Sequence, residues 1–181
     1  MAAGGSGDFY MVGEQFSSAA EVAPYYKGLP ALFEFSFWWT LRDAINNGRG
    51  SSFVADIQSF TAQYARYRPD FIEATKLSNH DEDRAGNDFG KNRSKMKLAG
   101  AVLLTAGGQP YIYQGEELGM TNFPFENEEQ LRDVESINLL HQSVDKAWAW
   151  RGIRAKGRDN ARTPMQWSAA RYAAFSSAEP W

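Results

Sequence analysis

The stretch Ile72-Glu73-Ala74-Thr75-Lys76-Leu77, running straight into Ser78-Asn79-His80-Asp81-Glu82-Asp83-Arg84, decides how the rest of the chain is read. Six residues that fit a buried strand give way to an amide, an imidazole, three carboxylates and a guanidinium. Parallel α/β proteins build their sites where strands leave the core at their C-terminal ends. The cluster holds one of two histidines in the chain, and its groups are suited to gripping hydroxyls and opposing positive charge. Taken alone, it reads equally well as a polar loop after a strand.

Upstream, Phe9-Tyr10-Met11-Val12 is a continuous apolar run that fits a buried parallel strand and leaves Glu14 just past its end. Ser17-Ser18-Ala19-Ala20-Glu21-Val22 carries a capping pattern for a brief helix. Leu32 to Phe35 reads as the next strand, and Trp38 to Ile45 as a helix stopped by Asn46-Asn47-Gly48. Phe53, Ile57, Phe60, Tyr64 and Tyr67 recur at spacings of three and four, which predicts a helix with one aromatic face, ended by Pro69. Downstream, Arg93 to Thr105 reads as a helix that buries Met96, Leu98, Ala99, Val102 and Leu103, with Gly107-Gly108-Gln109-Pro110 as its stop. Tyr111-Ile112-Tyr113 is a fourth strand, leading into Gln114-Gly115-Glu116-Glu117. Strands and helices alternate, with polar residues at each strand exit. That rhythm predicts an α/β fold of parallel βα units. Past Leu118 the rhythm breaks: Asn127 to Leu140 and Lys146 to Arg154 read as helices, and Gly157 to Trp167 as a loop.

The 181 residues suffice for one domain with a real core, and 43% of them are hydrophobic. Aromatic residues make up 14% of the chain, a supply that suits both core packing and the covering of flat sugar faces. A net charge of -3 without a basic run argues against nucleic acid and against an anionic membrane surface as partners. No segment approaches the roughly 18 apolar residues of a membrane span. The absence of cysteine removes disulfides, thiolate metal sites and cysteine nucleophiles together. Residues 1–8 are Gly-rich, with neither a basic nor an apolar segment. They read as a flexible leader rather than a signal, so the expected compartment is the cytoplasm.

Four segments in register, Val12-Gly13-Glu14, Leu77-Ser78-Asn79-His80-Asp81, Pro110 to Gly119 and Gly157-Arg158-Asp159-Asn160-Ala161-Arg162-Thr163-Pro164-Met165-Gln166-Trp167, resemble the α-amylase family, glycoside hydrolase family 13. The last segment is closest in character to the oligo-1,6-glucosidase and trehalulose-forming branch, whose members act on short α-glucosides. The resemblance implies a TIM-type (β/α)8 barrel. Residues 9–181 would form its C-terminal half, about strands five to eight, with a following helical and loop segment. It also implies roles for single residues. Glu14 would be the general acid/base and Asp81 the carboxylate that stabilises the transition state. His80 would hydrogen-bond the reacting sugar, Arg162 would close the pocket around the terminal glucose, and Asn79 would contact substrate.

The chemistry fits these residue types. A retaining glycosidase needs a protonated acid near the leaving oxygen and a second carboxylate as nucleophile roughly 5–5.5 Å away. Glu14, enclosed by aromatic walls, would hold its proton near neutrality. Asp81 would stay ionised, held by donors, and oppose an oxocarbenium-like charge. The family's nucleophilic aspartate belongs to a fourth-strand segment like Gly-Phe-Arg-x-Asp, and nothing in residues 1–8 matches it. The chain is therefore expected to be a half-barrel that is inactive alone. Its open strand edges invite self-association or pairing with the missing half.

No metal and no cofactor is expected, and the expected partner is an α-glucosyl oligosaccharide. The alternatives are an endo-amylase or a transglycosylase fragment, a sugar-binding half-barrel that does not cleave, and a fragment that works only when reassembled. Several residues also carry plainer readings. Glu116 and Glu117 are expected to make structural hydrogen bonds at the barrel rim. Trp38 and Trp39 read as core more readily than as a sugar platform, and His141 as packed or surface. Asp83 and Arg84 stand beside the site as supporting or substrate-contacting groups.

Overall fold

A computed structural model describes residues 9–180; the expected leader, residues 1–8, lies outside the described residues. The chain divides into two compact units, one running through Lys76 and including Thr105–Tyr111, the other built from Leu77–Leu104 and the residues from Ile112 onward.

The first unit carries a four-stranded sheet. Strand β1 (Val12–Gly13) is followed by helix α1 (Ala19–Val22), a 3-10 turn (Ala23–Lys27), strand β2 (Ala31–Glu34), helices α2 (Phe35–Asn47) and α3 (Gly50–Ala65), and strand β3 (Ile72–Lys76); β4 (Gln109–Tyr111) returns to it later. The sheet order is β1-β2-β3-β4 and every neighbouring pair is parallel. Parallel strands cannot be joined by tight hairpins, so the helices serve as crossovers, and the α/β expectation holds.

Local chemistry explains the helix limits. Ser18 opens α1, its hydroxyl donating to Glu21 Oε2 at 2.7 Å while its backbone N–H donates to the same oxygen at 3.2 Å. Glu34 caps α2 by accepting from the Phe37 N–H at 3.2 Å, and Gly48 ends that helix at φ +68°, a conformation that favours glycine. Side chains alternate along the strands, which sends Leu32 and Glu34 of β2 and Glu73 and Thr75 of β3 to one face. Leu32 joins Ala19, Val22, Tyr26 and Tyr64 in the core beneath α1 and α3. The opposite face brings the Phe33 and Tyr111 rings to 4.9 Å. Tyr10, just ahead of β1, places its hydroxyl 3.0 Å from that of Tyr111 on β4.

Three expectations change here. β1 is two residues long, and Phe9, Tyr10 and Met11 are exposed rather than buried, because only Val12 and Gly13 find partners on β2. β4 sits two residues earlier than the apolar run suggested, since its pairing with β3 sets Lys76 opposite Tyr111. Tyr67 lies past the end of α3 and is exposed, leaving Tyr64 as the buried member of that face. Trp38 is core, at 1% exposure.

The second unit holds α4 (Ala85–Asp88), α5 (Arg93–Thr105, whose last residue belongs to the first unit), α6 (Val134–Gln142) and α7 (Lys146–Lys156). α5 has the limits read from the sequence; Asn92 opens it by accepting from the Ser94 and Lys95 N–H groups at 3.0 and 3.1 Å. Of its five expected inward residues, Ala99 and Leu103 are buried, whereas Leu98 is 52% exposed, because it points away from the face those two share. The single helix expected from Asn127 to Leu140 is broken: a 3-10 turn at Glu128–Gln130 precedes α6, and Asp133 between them caps α6 through Ser136. Phe125, Leu131, Leu140, Ala149 and Ile153 form one buried hydrophobic cluster of this unit.

Candidate functional site

The site residues of the second unit are set out by the loop that follows β3. Leu77 and Ser78 are buried, and the Ser78 hydroxyl donates to Glu116 Oε1 at 2.5 Å. Asn79 turns the chain by accepting the Asp81 N–H on its side-chain oxygen at 2.8 Å, a local device that competes with regular structure. The turn leaves the His80 and Asp81 side chains 59% and 36% exposed.

Asp81 is held from three sides. Arg162 Nη2 donates to its Oδ1 at 2.7 Å, Arg158 Nε lies 3.0 Å from the same oxygen, and His80 Nε2 lies 3.3 Å from Oδ2. Arg162 Nε also donates to the His80 carbonyl at 3.1 Å. One guanidinium thus grips a side chain and the neighbouring backbone at once, a fork geometry that lysine cannot reproduce. Arg158 reaches further, to Glu135 Oε2 at 3.5 Å. The result is a carboxylate facing two fixed cations beside an exposed imidazole, an arrangement suited to oxygen-rich ligands.

The loop bearing both arginines is built on buried acids. Asp159 Oδ2 accepts the N–H groups of Arg132 and Asp133, both at 2.9 Å. Asp133 accepts from the Ser136 hydroxyl at 2.7 Å and from its N–H at 3.1 Å. Burial works against its charge, yet these donors and the Arg158 charge hold its carboxyl below the usual range.

Asn79, His80, Asp81 and Arg162 converge within the second unit. Glu14 belongs to the first unit, one residue past β1, and is exposed. The aromatic enclosure expected for it is therefore replaced by an open position. Its nearest aromatic residue in sequence, Phe16, is itself 64% exposed and packs edge-on against Phe35 at 4.7 Å and Trp39 at 5.5 Å. Glu116 and Glu117 bond backbone as expected, accepting the N–H groups of Tyr113 at 3.1 Å and Gly115 at 2.8 Å. Asp83 pairs with Lys156 at 3.3 Å, and His141 is a half-exposed partner of Glu128 at 2.6 Å. Arg84 is 2% exposed, too deep to touch a ligand. Arg158 and Glu135 were not singled out from the sequence. The available signal was the four-residue spacing of Arg158 and Arg162 in one loop.

Residues 2–181 match the family described as alpha amylase, catalytic domain. Alpha-amylase SusG of Bacteroides thetaiotaomicron is 58% identical over 129 residues, covering 71% of this chain and 19% of that protein. An oligo-1,6-glucosidase of Halalkalibacterium halodurans is 32% identical over 191 residues, covering 96% of this chain and 34% of the relative. Among solved structures, the trehalulose synthase MutB of Pseudomonas mesoacidophila superposes with a TM-score of 0.70 at 28% identity, over 96% of this chain and 34% of that one. The chain thus spans about a third or less of the length of these relatives. With its catalytic-domain match over nearly every residue, the chain belongs to the alpha-amylase family.

Proposed function

We propose that the chain is the C-terminal half, about strands five to eight, of the (β/α)8 barrel of a retaining α-glucoside hydrolase acting on oligosaccharides. The observation that carries this reading is the Asp81 carboxylate gripped by Arg158 and Arg162 beside the exposed His80. A carboxylate flanked by fixed cations can oppose the positive charge of an oxocarbenium-like transition state without reorganising. His80 and Asn79 supply hydrogen-bonding groups for sugar hydroxyls. Arg162 bounds the pocket around the terminal glucose, and Glu14 acts as the acid that protonates the leaving oxygen.

The nucleophile comes from a segment outside this sequence. The 181 residues alone therefore do not turn over substrate, since loss of one member of a catalytic unit is already disabling. The reading is tested by assaying the chain on p-nitrophenyl α-glucoside, alone and mixed with a polypeptide carrying the first four βα units of a relative. Activity in the mixture and none in either half is the expected result. Activity in the chain alone sinks the assignment of the nucleophile, and a mixture that assembles but stays inactive sinks the assignment of Glu14 and Asp81.

A second reading draws support from the 58% identity to an alpha-amylase: the substrate is an α-glucan rather than a short α-glucoside. Comparing maltoheptaose with isomaltose in the reassembled enzyme separates the two.

A further inference from the structure

We infer that Arg84 is a positioning residue, whose buried guanidinium clamps the backbone on both sides of Arg162 so that Arg162 reaches Asp81. The inference rests on the reading of Asp81 and Arg162 as parts of the sugar site. Arg84 Nη2 donates to the carbonyl of Ala161 at 3.0 Å, to the Thr163 hydroxyl at 3.2 Å and to the Thr163 carbonyl at 3.4 Å. Its Nε donates to the Asn160 carbonyl at 2.9 Å and its Nη1 to the Gln114 carbonyl at 2.8 Å. The residues immediately before and after Arg162 are thus held by one planar group.

Arg84 lies three residues beyond Asp81 in the same loop. Two points of that loop therefore grip four consecutive residues of the other, Asn160 to Thr163: Asp81 takes the Arg162 side chain, and Arg84 takes the backbone flanking it. The Arg84 backbone N–H is itself fixed by Asn122 Oδ1 at 3.1 Å. Tyr113 braces the assembly. Its hydroxyl donates to the Ala161 carbonyl at 2.9 Å, and its ring centroid lies 5.8 Å from the guanidinium carbon. Gly115 makes room, since a Cβ there would stand 2.7 Å from Arg84 Nη1.

The five donors of a guanidinium diverge in one plane, which is what several separate carbonyls require and what a lysine ammonium cannot supply. Burial works against the charge of Arg84, opposed by Tyr113, Glu116 and Glu117. A group whose purpose was only to fill space would be apolar.

The test follows the Arg162 Nε–H by 15N nuclear magnetic resonance in the 181-residue chain. In the parent chain this proton, bonded to the His80 carbonyl, is expected to exchange slowly. In Arg84→Ala its exchange is expected to quicken roughly tenfold or more, the scale of one lost charged hydrogen bond. Millimolar guanidinium chloride restores it by occupying the vacated site, while sodium chloride does not. Tyr113→Phe removes one brace while keeping the Arg84 guanidinium in place and opening no large cavity, and decides the matter should Arg84→Ala fail to fold: a several-fold faster Arg162 exchange at nearly unchanged melting temperature is expected. An unchanged Arg162 signal in a folded Arg84→Ala or in Tyr113→Phe overturns the inference, as does a loss in folded Arg84→Ala that guanidinium does not reverse. None of these readouts uses a sugar, so failure here is distinct from failure of the hydrolase reading in the reassembly assay.

Discussion

Glu73 on β3 and Glu34 on β2 project from the same face of the sheet into the layer formed by Tyr26 and Tyr64, with Glu34 taking the Tyr64 hydroxyl and Glu73 that of Thr61 at 3.2 Å. Burial acts on both acids, and on Glu73 the charge of Glu34 acts as well. Burial pushes the Glu73 carboxyl up from 4.5 to about 7, with the Glu34 charge adding to the rise, and burial also raises Glu34.

A carboxyl whose folded value lies above its unfolded one binds more protons when folded, so stability falls as pH rises through that interval. For Glu73 the interval runs from the ordinary 4.5 to about 7, and the loss is complete above it. A shift of that size corresponds to roughly 3 kcal/mol. Urea unfolding is expected to give lower stability at pH 8 than at pH 5, and Glu73→Gln is expected to narrow the difference. Equal pH dependence in parent and variant removes Glu73 as its source.

At the site, the Arg162 to Asp81 pair is about 40% exposed on both sides, so it contributes little to folding, on the order of 1 kcal/mol or less. On the proposed reading of the site, its value lies in binding. Arg162→Met is expected to leave the melting temperature of the chain nearly unchanged while lowering kcat/KM of the reassembled enzyme ~10–100-fold, the scale of a charged hydrogen bond to substrate. Arg162→Lys is expected to recover little, because it cannot hold Asp81 and the His80 carbonyl together. A large loss of stability in either variant would show that the pair is structural.

What the sequence made legible was whatever local chemistry decides. α5 was readable to the residue because Asn92 caps it and a Gly-rich stop follows; β3 was readable because it is flanked by Pro69 and a polar cluster. The adjacency of His80 and Asp81 needed no folding at all. What stayed hidden depends on partners distant in sequence. The register of β4 follows from Lys76 standing opposite Tyr111, which the apolar run Tyr111 to Tyr113 does not disclose. Arg158 meets Asp81 and Glu135 only after folding has brought three separate segments together. Arg84 reads from the sequence as a supporting or substrate-contacting group, and it is its burial that marks it as a clamp.

Gly115 offers a sharp test of packing around that clamp. Its φ of +93° is outside what L side chains comfortably adopt, and an added Cβ would stand 2.5 Å from Met120 Sδ and 2.7 Å from Arg84 Nη1. Strain and collision both act here, so Gly115→Ala is expected to destabilise the chain by about 2–4 kcal/mol, read from urea unfolding. Gly48→Ala, whose Cβ would meet nothing within 4 Å, carries the cost of a positive φ alone, about 1 kcal/mol. Equal losses at the two positions would show that the contacts around Gly115 yield freely.

The sheet edges carry the expectation of association. β1 pairs only with β2, and β4 only with β3, among the described residues. Ahead of β1 stand Phe9 at 80% exposure, Tyr10 at 41% and Met11 at 42%, with Phe16 at 64% shortly after it. Unpaired strand edges bordered by apolar side chains recruit further strands, and Pro110 blunts only the β4 side, because it has no N–H to offer. The chain is therefore expected to sediment as a concentration-dependent mixture of monomer and larger species at micromolar levels. Phe9→Lys with Met11→Lys is expected to shift that mixture toward monomer, since charge at an edge opposes pairing, while leaving the far-ultraviolet circular dichroism unchanged. If the edge instead seats the complementary half-barrel of the proposed function, the same double variant also weakens reassembly and lowers the recovered activity at limiting concentration. A parent chain that sediments as a single monomer across the concentration range would show that the Tyr10 to Tyr111 contact and the flanking aromatic residues already satisfy the edges by themselves.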